Sequence, residues 1–123
     1  MAEQLTRIIA QVEYDGLLDA AYSNHTVGVT IAAGQGELKR GTVLAINADN
    51  KAVIASGASG TECRYVLRKD VNAAEADTVA YAYDEGRFIK SRLIVGEGYT
   101  LTAKDIDTLR THNICMADRK SVV

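Results

Sequence analysis

The sequence predicts a mostly-β domain of the α+β class, with antiparallel strands, one C-terminal helix and a distinct N-terminal segment. Three observations predict it. Several short runs alternate apolar with small or polar residues at period two, the spacing of half-buried strands. Clusters of Gly, Asn and Asp separate those runs, and such residues favour turns. Helical spacing backed by a capping signature occurs once, after Thr102.

A chain of 123 residues fits one domain. Apolar residues at 47% and charged residues at 24% are ordinary globular proportions, which argues against a disordered chain. Aromatics are scarce, with one Phe, six Tyr and no Trp, so Val, Ile, Leu and many Ala must fill the core. The change in character after residue 25 divides the chain into an N-terminal segment, residues 1–25, and a single domain, residues 26–123.

In the N-terminal segment, Leu5, Ile8, Ile9 and Val12 stand at helical spacing, and Leu17 and Leu18 follow Gly16. Two readings stay open for this segment: a short helix packed on its own domain, or an apolar arm that docks on a partner. From Thr26 the period becomes two. Val27, Val29 and Ile31 alternate with Gly28, Thr30 and Ala32, and Gly34-Gln35-Gly36 turns the chain. Residues 42–46 make a more continuously apolar strand, Asn47-Ala48-Asp49-Asn50 a hairpin turn, and residues 51–55 the returning strand. Residues 56–61 form a small-residue loop, 63–67 a strand and 70–76 a polar connection. In residues 78–83, Val79, Tyr81 and Tyr83 face one way and Ala80 and Ala82 the other. Asp84-Glu85-Gly86 then reads as a turn, with residues 87–95 returning antiparallel. In the helix, Thr102 is the N-cap, with Asp105 as the acidic member of a capping box. Leu101, Ala103, Ile106 and Leu109 form its buried side, and Asn113 stops it in the left-handed conformation.

Charge and motifs exclude several functions. A net charge of −2 with scattered Lys and Arg lacks the basic footprint of a nucleic-acid binder, so no direct nucleic-acid partner is expected. Apolar runs fall short of the ~18 residues of a membrane span, and no secretory signal pattern opens the chain, so synthesis in a cytosol is expected. Cys63 and Cys115 lack a CxxC pattern and are expected as two buried, unpaired thiols. Gly34-Gln35-Gly36 lacks the third glycine of a dinucleotide fingerprint, and there is no P-loop and no HExxH. His25 and His112 sit in a polar turn and at a helix end, so neither a metal nor a cofactor is expected. The pair His112 and Cys115 has no orienting third group and makes a poor hydrolase. Catalytic residues are therefore expected to be none. Tyr81 and Tyr83, or the loop 56–61, offer an alternative function as a glycan-binding module.

One stretch carries a family signature. Val29-Thr30-Ile31-Ala32-Ala33-Gly34-Gln35-Gly36, followed by Leu38-Lys39-Arg40-Gly41-Thr42-Val43-Leu44, resembles the lambda-type head decoration proteins of tailed phages. The likeness continues through Asp70-Val71-Asn72-Ala73-Ala74-Glu75-Ala76-Asp77, Val79 to Tyr83, and Gly86-Arg87-Phe88 with Leu93. It ends at His112-Asn113-Ile114, where Asn113 replaces a glycine. The resemblance implies a β-clip-like small barrel of antiparallel strands with an N-terminal arm, which forms a homotrimer on the exterior of the phage capsid. There it would cement the major capsid proteins at threefold and quasi-threefold positions against the pressure of packaged DNA, after synthesis in the host bacterial cytoplasm. Similar proteins dock an N-terminal arm on the capsid, which favours the second reading of residues 1–25. It makes Leu5, Ile8, Ile9, Val12, Tyr14, Leu17 and Leu18 the expected capsid-binding residues, with strand pairing confined to the neighbourhood of Tyr14 to Leu18.

Overall fold

The computed structural model describes residues 17–18 and 24–117, and among these described residues eight strands and one α-helix follow one another. The strands are β1 (His25–Ile31), β2 (Gly36–Leu38), β3 (Val43–Ile46), β4 (Ala52–Ile54), β5 (Glu62–Leu67), β6 (Val71–Ala73), β7 (Thr78–Ile89) and β8 (Ile114–Ala117). A 3-10 turn (Lys90–Arg92) follows β7, and helix α1 (Ala103–Thr111) precedes β8.

The main sheet runs β1-β4-β3-β5-β7, and β7 pairs back onto β1, which closes a five-stranded barrel. Pairings β3–β4, β3–β5, β5–β7 and β1–β7 are antiparallel. The junction of β1 with β4 is parallel and minimal, resting on the Ile31–Ala52 register and the Ala32 amide bonded to the Ala52 carbonyl at 2.9 Å. Strand β8 lies parallel to the second half of β7, outside the closed ring. Strands β2 and β6 form a separate antiparallel pair.

Period-two alternation sorts the apolar residues into two cores. Ile31, Ala52, Leu44, Leu67, Ala80 and Ala82 come from all five barrel strands and pack together in its interior, joined by Leu38 and Ala73 of the small pair. Three alanines at these positions suit a narrow barrel, in which larger side chains from every strand would overfill the space. The second core lies on the opposite faces of β3, β5 and β7, where Val43, Ala45, Cys63, Val66, Tyr83 and Phe88 meet Leu109 of α1 and Ile114 of β8.

Two bulges keep these faces in phase. Arg64 is the extra residue of β5 opposite Leu44 and Ala45 of β3, so Cys63 and Val66, three apart, share one core. Asp84 is the extra residue of β7, opposite His25 and Thr26. Before it, Val79, Tyr81 and Tyr83 share a face. After it, Gly86 and Phe88 take over that face, and the Tyr83 and Phe88 rings meet edge to face at 5.3 Å.

This geometry corrects the expected turn at Asp84-Glu85-Gly86. The three residues lie inside a single twelve-residue strand, with the bulge at Asp84, and residues 87–89 do not return antiparallel on residues 78–83. Their polar character serves other ends: Asp84 accepts from His25, and Glu85 faces solvent. The polar connection 70–76 also contains β6, an unexpected strand. Helix α1 begins as expected. Thr102 accepts the Asp105 amide at 3.1 Å while the Asp105 carboxylate accepts the Thr102 amide at 3.0 Å, and Asn113 takes the left-handed conformation with φ 68°. Leu109 is buried and Ile106 half-buried, but Ala103, expected on the covered side, is exposed.

Candidate functional site

Leu17 and Leu18 are the two expected arm residues that lie among the described residues. Both belong to the core of their own domain, 3% and 7% exposed. Leu18 forms an antiparallel bridge with Phe88, and the Leu17 carbonyl accepts the Ile89 amide at 2.7 Å. The bridge sets this short segment against β7 and places both side chains against the outer core.

Two glycines make the seat. A Cβ on Gly41 would come within 3.3 Å of a Leu17 methyl and 3.1 Å of the Arg92 carbonyl, and Gly41 has the left-handed φ of 96°. A Cβ on Gly86 would stand 3.3 Å from a Leu18 methyl and 3.1 Å from the Phe88 ring. Each leucine therefore packs where a side chain is missing. The side chains of Leu17 and Leu18, expected among the capsid contacts, thus pack into the core that β7 and the turn before β3 help to build. Leu5, Ile8, Ile9, Val12 and Tyr14 lie outside the described residues. Nothing in the local sequence marked Gly41 and Gly86 as the seat, because Phe88 and Ile89 meet Leu17 and Leu18 only through the tertiary fold.

The residues with chemical potential are placed apart or quenched. A cleft of about 520 Å³ lies between the loop after β4 and helix α1, with Cys63, Tyr99 and Asp105 among its lining residues. Burial, reinforced by the neighbouring Asp105 carboxylate, pushes the Cys63 thiol up to about 12, so it stays protonated and is a poor nucleophile. Partial burial alone would raise the Asp105 carboxyl. Hydrogen bonds from Tyr99, the Thr102 backbone and side chain, and Cys63 overcome that and hold it below the usual range. The same bond to Asp105 holds the Tyr99 phenol above its ordinary value. The Tyr99 ring also lies over Gly57, where a Cβ would stand 2.7 Å from it, and this fixes one wall of the cleft.

Cys115 is exposed on β8, contrary to the expected pair of buried thiols. His112 Nε2 lies 3.1 Å from the Glu62 carboxylate, and His25 Nδ1 lies 2.7 Å from that of Asp84. Among the described residues no group of three or more His, Cys, Asp and Glu is placed to hold a metal ion. The tyrosine stripe is divided in the same way. Tyr83 is fully buried, with the guanidinium groups of Arg40 and Arg68 near its ring and Arg40 bonded to its hydroxyl at 2.8 Å. Tyr81 is 60% exposed beside Val79 at 71%, so the two tyrosines do not form one stacking platform.

These features define a small closed barrel with a flanking helix, whose built features are a clasped N-terminal segment and an exposed apolar strand face. The chain belongs to the family of bacteriophage lambda head decoration protein D, whose model matches residues 10–114. No curated protein matches the chain. Family membership makes it a structural component that decorates the phage head, at the virion capsid. Among the described residues no helix is long and apolar enough to cross a membrane.

Proposed function

We propose that the protein works as a trimeric cement on the outer surface of the expanded phage head, at threefold and quasi-threefold positions, bound to the major capsid protein through its N-terminal arm. The family match from residue 10 onward is the observation that carries this reading. The domain supplies a rigid body, and the residues ahead of Leu17 supply the arm, with Leu5, Ile8, Ile9, Val12 and Tyr14 as its apolar contacts. A cyclic trimer fits the local symmetry of such a site. Its three arms bind with avidity, since the second and third dockings are intramolecular once the first has formed. Modest bonds that span subunit joints then reinforce a shell under internal pressure.

Deletion of residues 1–14 tests this reading, because it removes the arm and leaves Leu17 and Leu18 in place. The truncated protein is expected to keep its melting midpoint and to lose binding to expanded heads that lack the decoration protein. Truncated protein that decorates and stabilises heads as well as the full chain does would refute the arm.

A further inference from the structure

We propose that Leu17 and Leu18, seated on Gly41 and Gly86, are positioning residues that fix where and in what direction the arm leaves the domain. This rests on the reading of residues 1–14 as the capsid-binding arm. The observations are local and independent of any partner. Leu17 is tied by its carbonyl to the Ile89 amide at 2.7 Å, and Leu18 is bridged to Phe88. Both side chains are buried.

The seat itself is held from several directions. The Gly41 amide donates to the Leu67 carbonyl at 2.9 Å, and the Gly41 carbonyl accepts the Ile94 amide at 3.0 Å. The Gly86 amide donates to Asn113 at 3.0 Å, which ties the seat to the end of α1 and the start of β8. The two leucines thus rest on backbone that the barrel, the segment after the 3-10 turn and β8 all hold in place.

Such a root changes how an arm binds. A chain that leaves a flexible terminus must be ordered at its base when it docks, at about 1–2 kcal/mol per residue fixed. A chain whose base is already ordered avoids that cost, and its first free residues meet the partner in one register. Residues Leu17 and Leu18 act on the capsid through the arm and need not touch it.

Inserting Gly-Ser-Gly between Gly16 and Leu17 tests this without altering a core residue. The clasp stays intact, but the arm now starts from a flexible joint. The expected result is a loss of about tenfold in affinity for undecorated expanded heads. The melting midpoint and the hydrogen-exchange protection of the Ile89 amide should stay unchanged, which a merely structural role of the segment would not separate from binding. Wild-type affinity of the insertion variant overturns the proposal. The deletion of residues 1–14 is run beside it. Loss of binding on deletion together with full binding by the insertion variant removes the clasp alone, whereas full binding by the deletion variant removes the arm and the clasp together.

Discussion

The two cysteines show how one residue type diverges with its surroundings. Cys63 lies on β5 with its side chain in the outer core and its thiol against Asp105, while Cys115 stands exposed on β8. A thiol held near 12 reacts slowly, because the thiolate is the nucleophile. Iodoacetamide at pH 8 should therefore add one label to the native protein, at Cys115, and two after denaturation. Two labels on the native protein would mean that the Cys63 environment opens readily. The shift also has a signed effect on stability. The unfolded chain releases this proton near the ordinary 9.0, whereas the folded chain keeps it to about 12. Above pH 9 the unfolded state binds fewer protons than the folded one, so the contribution of Cys63 is intact below that pH and is lost as pH rises toward 12. In Cys63→Ala the alkaline fall in melting midpoint should be shallower than in the wild type, and an identical slope would show that Cys63 does not contribute to it.

At the scale of elements, β1 and β7 show what a strand pattern conceals. Gly28 stands opposite Tyr81 on the exposed face of the β1–β7 pair, and the nearest atom to a Cβ there would be a Val79 methyl at 3.9 Å. Its backbone is not left-handed, so the isolated domain has no steric or conformational need for glycine at this position. Gly28→Val should stabilise the domain by about 0.5–1 kcal/mol in urea unfolding, through a less flexible unfolded chain and cross-strand contact with Val79 and Tyr81. Destabilisation would show a constraint on that face that the fold alone does not contain. The alternation of Val79, Tyr81 and Tyr83 was legible because period two follows from backbone geometry. The continuation of β7 was not. Asp84, Glu85 and Gly86 are turn-forming types, and only the pairing of His25 with Glu85 and Thr26 with Tyr83 shows that Asp84 is a bulge. Helix α1 was legible at both ends because Thr102, Asp105 and Asn113 act through neighbours in sequence. Leu17 and Leu18 were legible as apolar, but the seat that buries them was not, since it comes from β7 and the turn before β3.

Across the whole molecule, β3, β5 and β7 each enter both cores, and β7 is the longest of them. Its Ala80 and Ala82 enter the barrel interior, and its Tyr83 and Phe88 enter the outer core. It also pairs with β1, β5 and β8 and receives the Leu18 bridge. These contacts are far apart in sequence, so a mostly-β class with one helix could be read from local patterns, whereas barrel closure and the parallel addition of β8 could not. A strand shared in this way couples the cores: neither can lose its packing while β7 keeps its place in the other. Phe88→Ala removes the ring that meets Tyr83 and supports Leu18, and should cost about 3–5 kcal/mol. Ile31→Ala empties part of the barrel interior on the other side of the sheet and should cost about 2–5 kcal/mol. Both variants should unfold in urea in a single transition, with near-ultraviolet tyrosine signals and far-ultraviolet strand signals changing together and with the slope of the wild type. An early tyrosine transition in Phe88→Ala that leaves the strand signal intact would show that the outer core melts by itself. In that case the barrel would be the only rigid body, and the clasp at Leu17 and Leu18 would be a local attachment that can open while the domain remains folded.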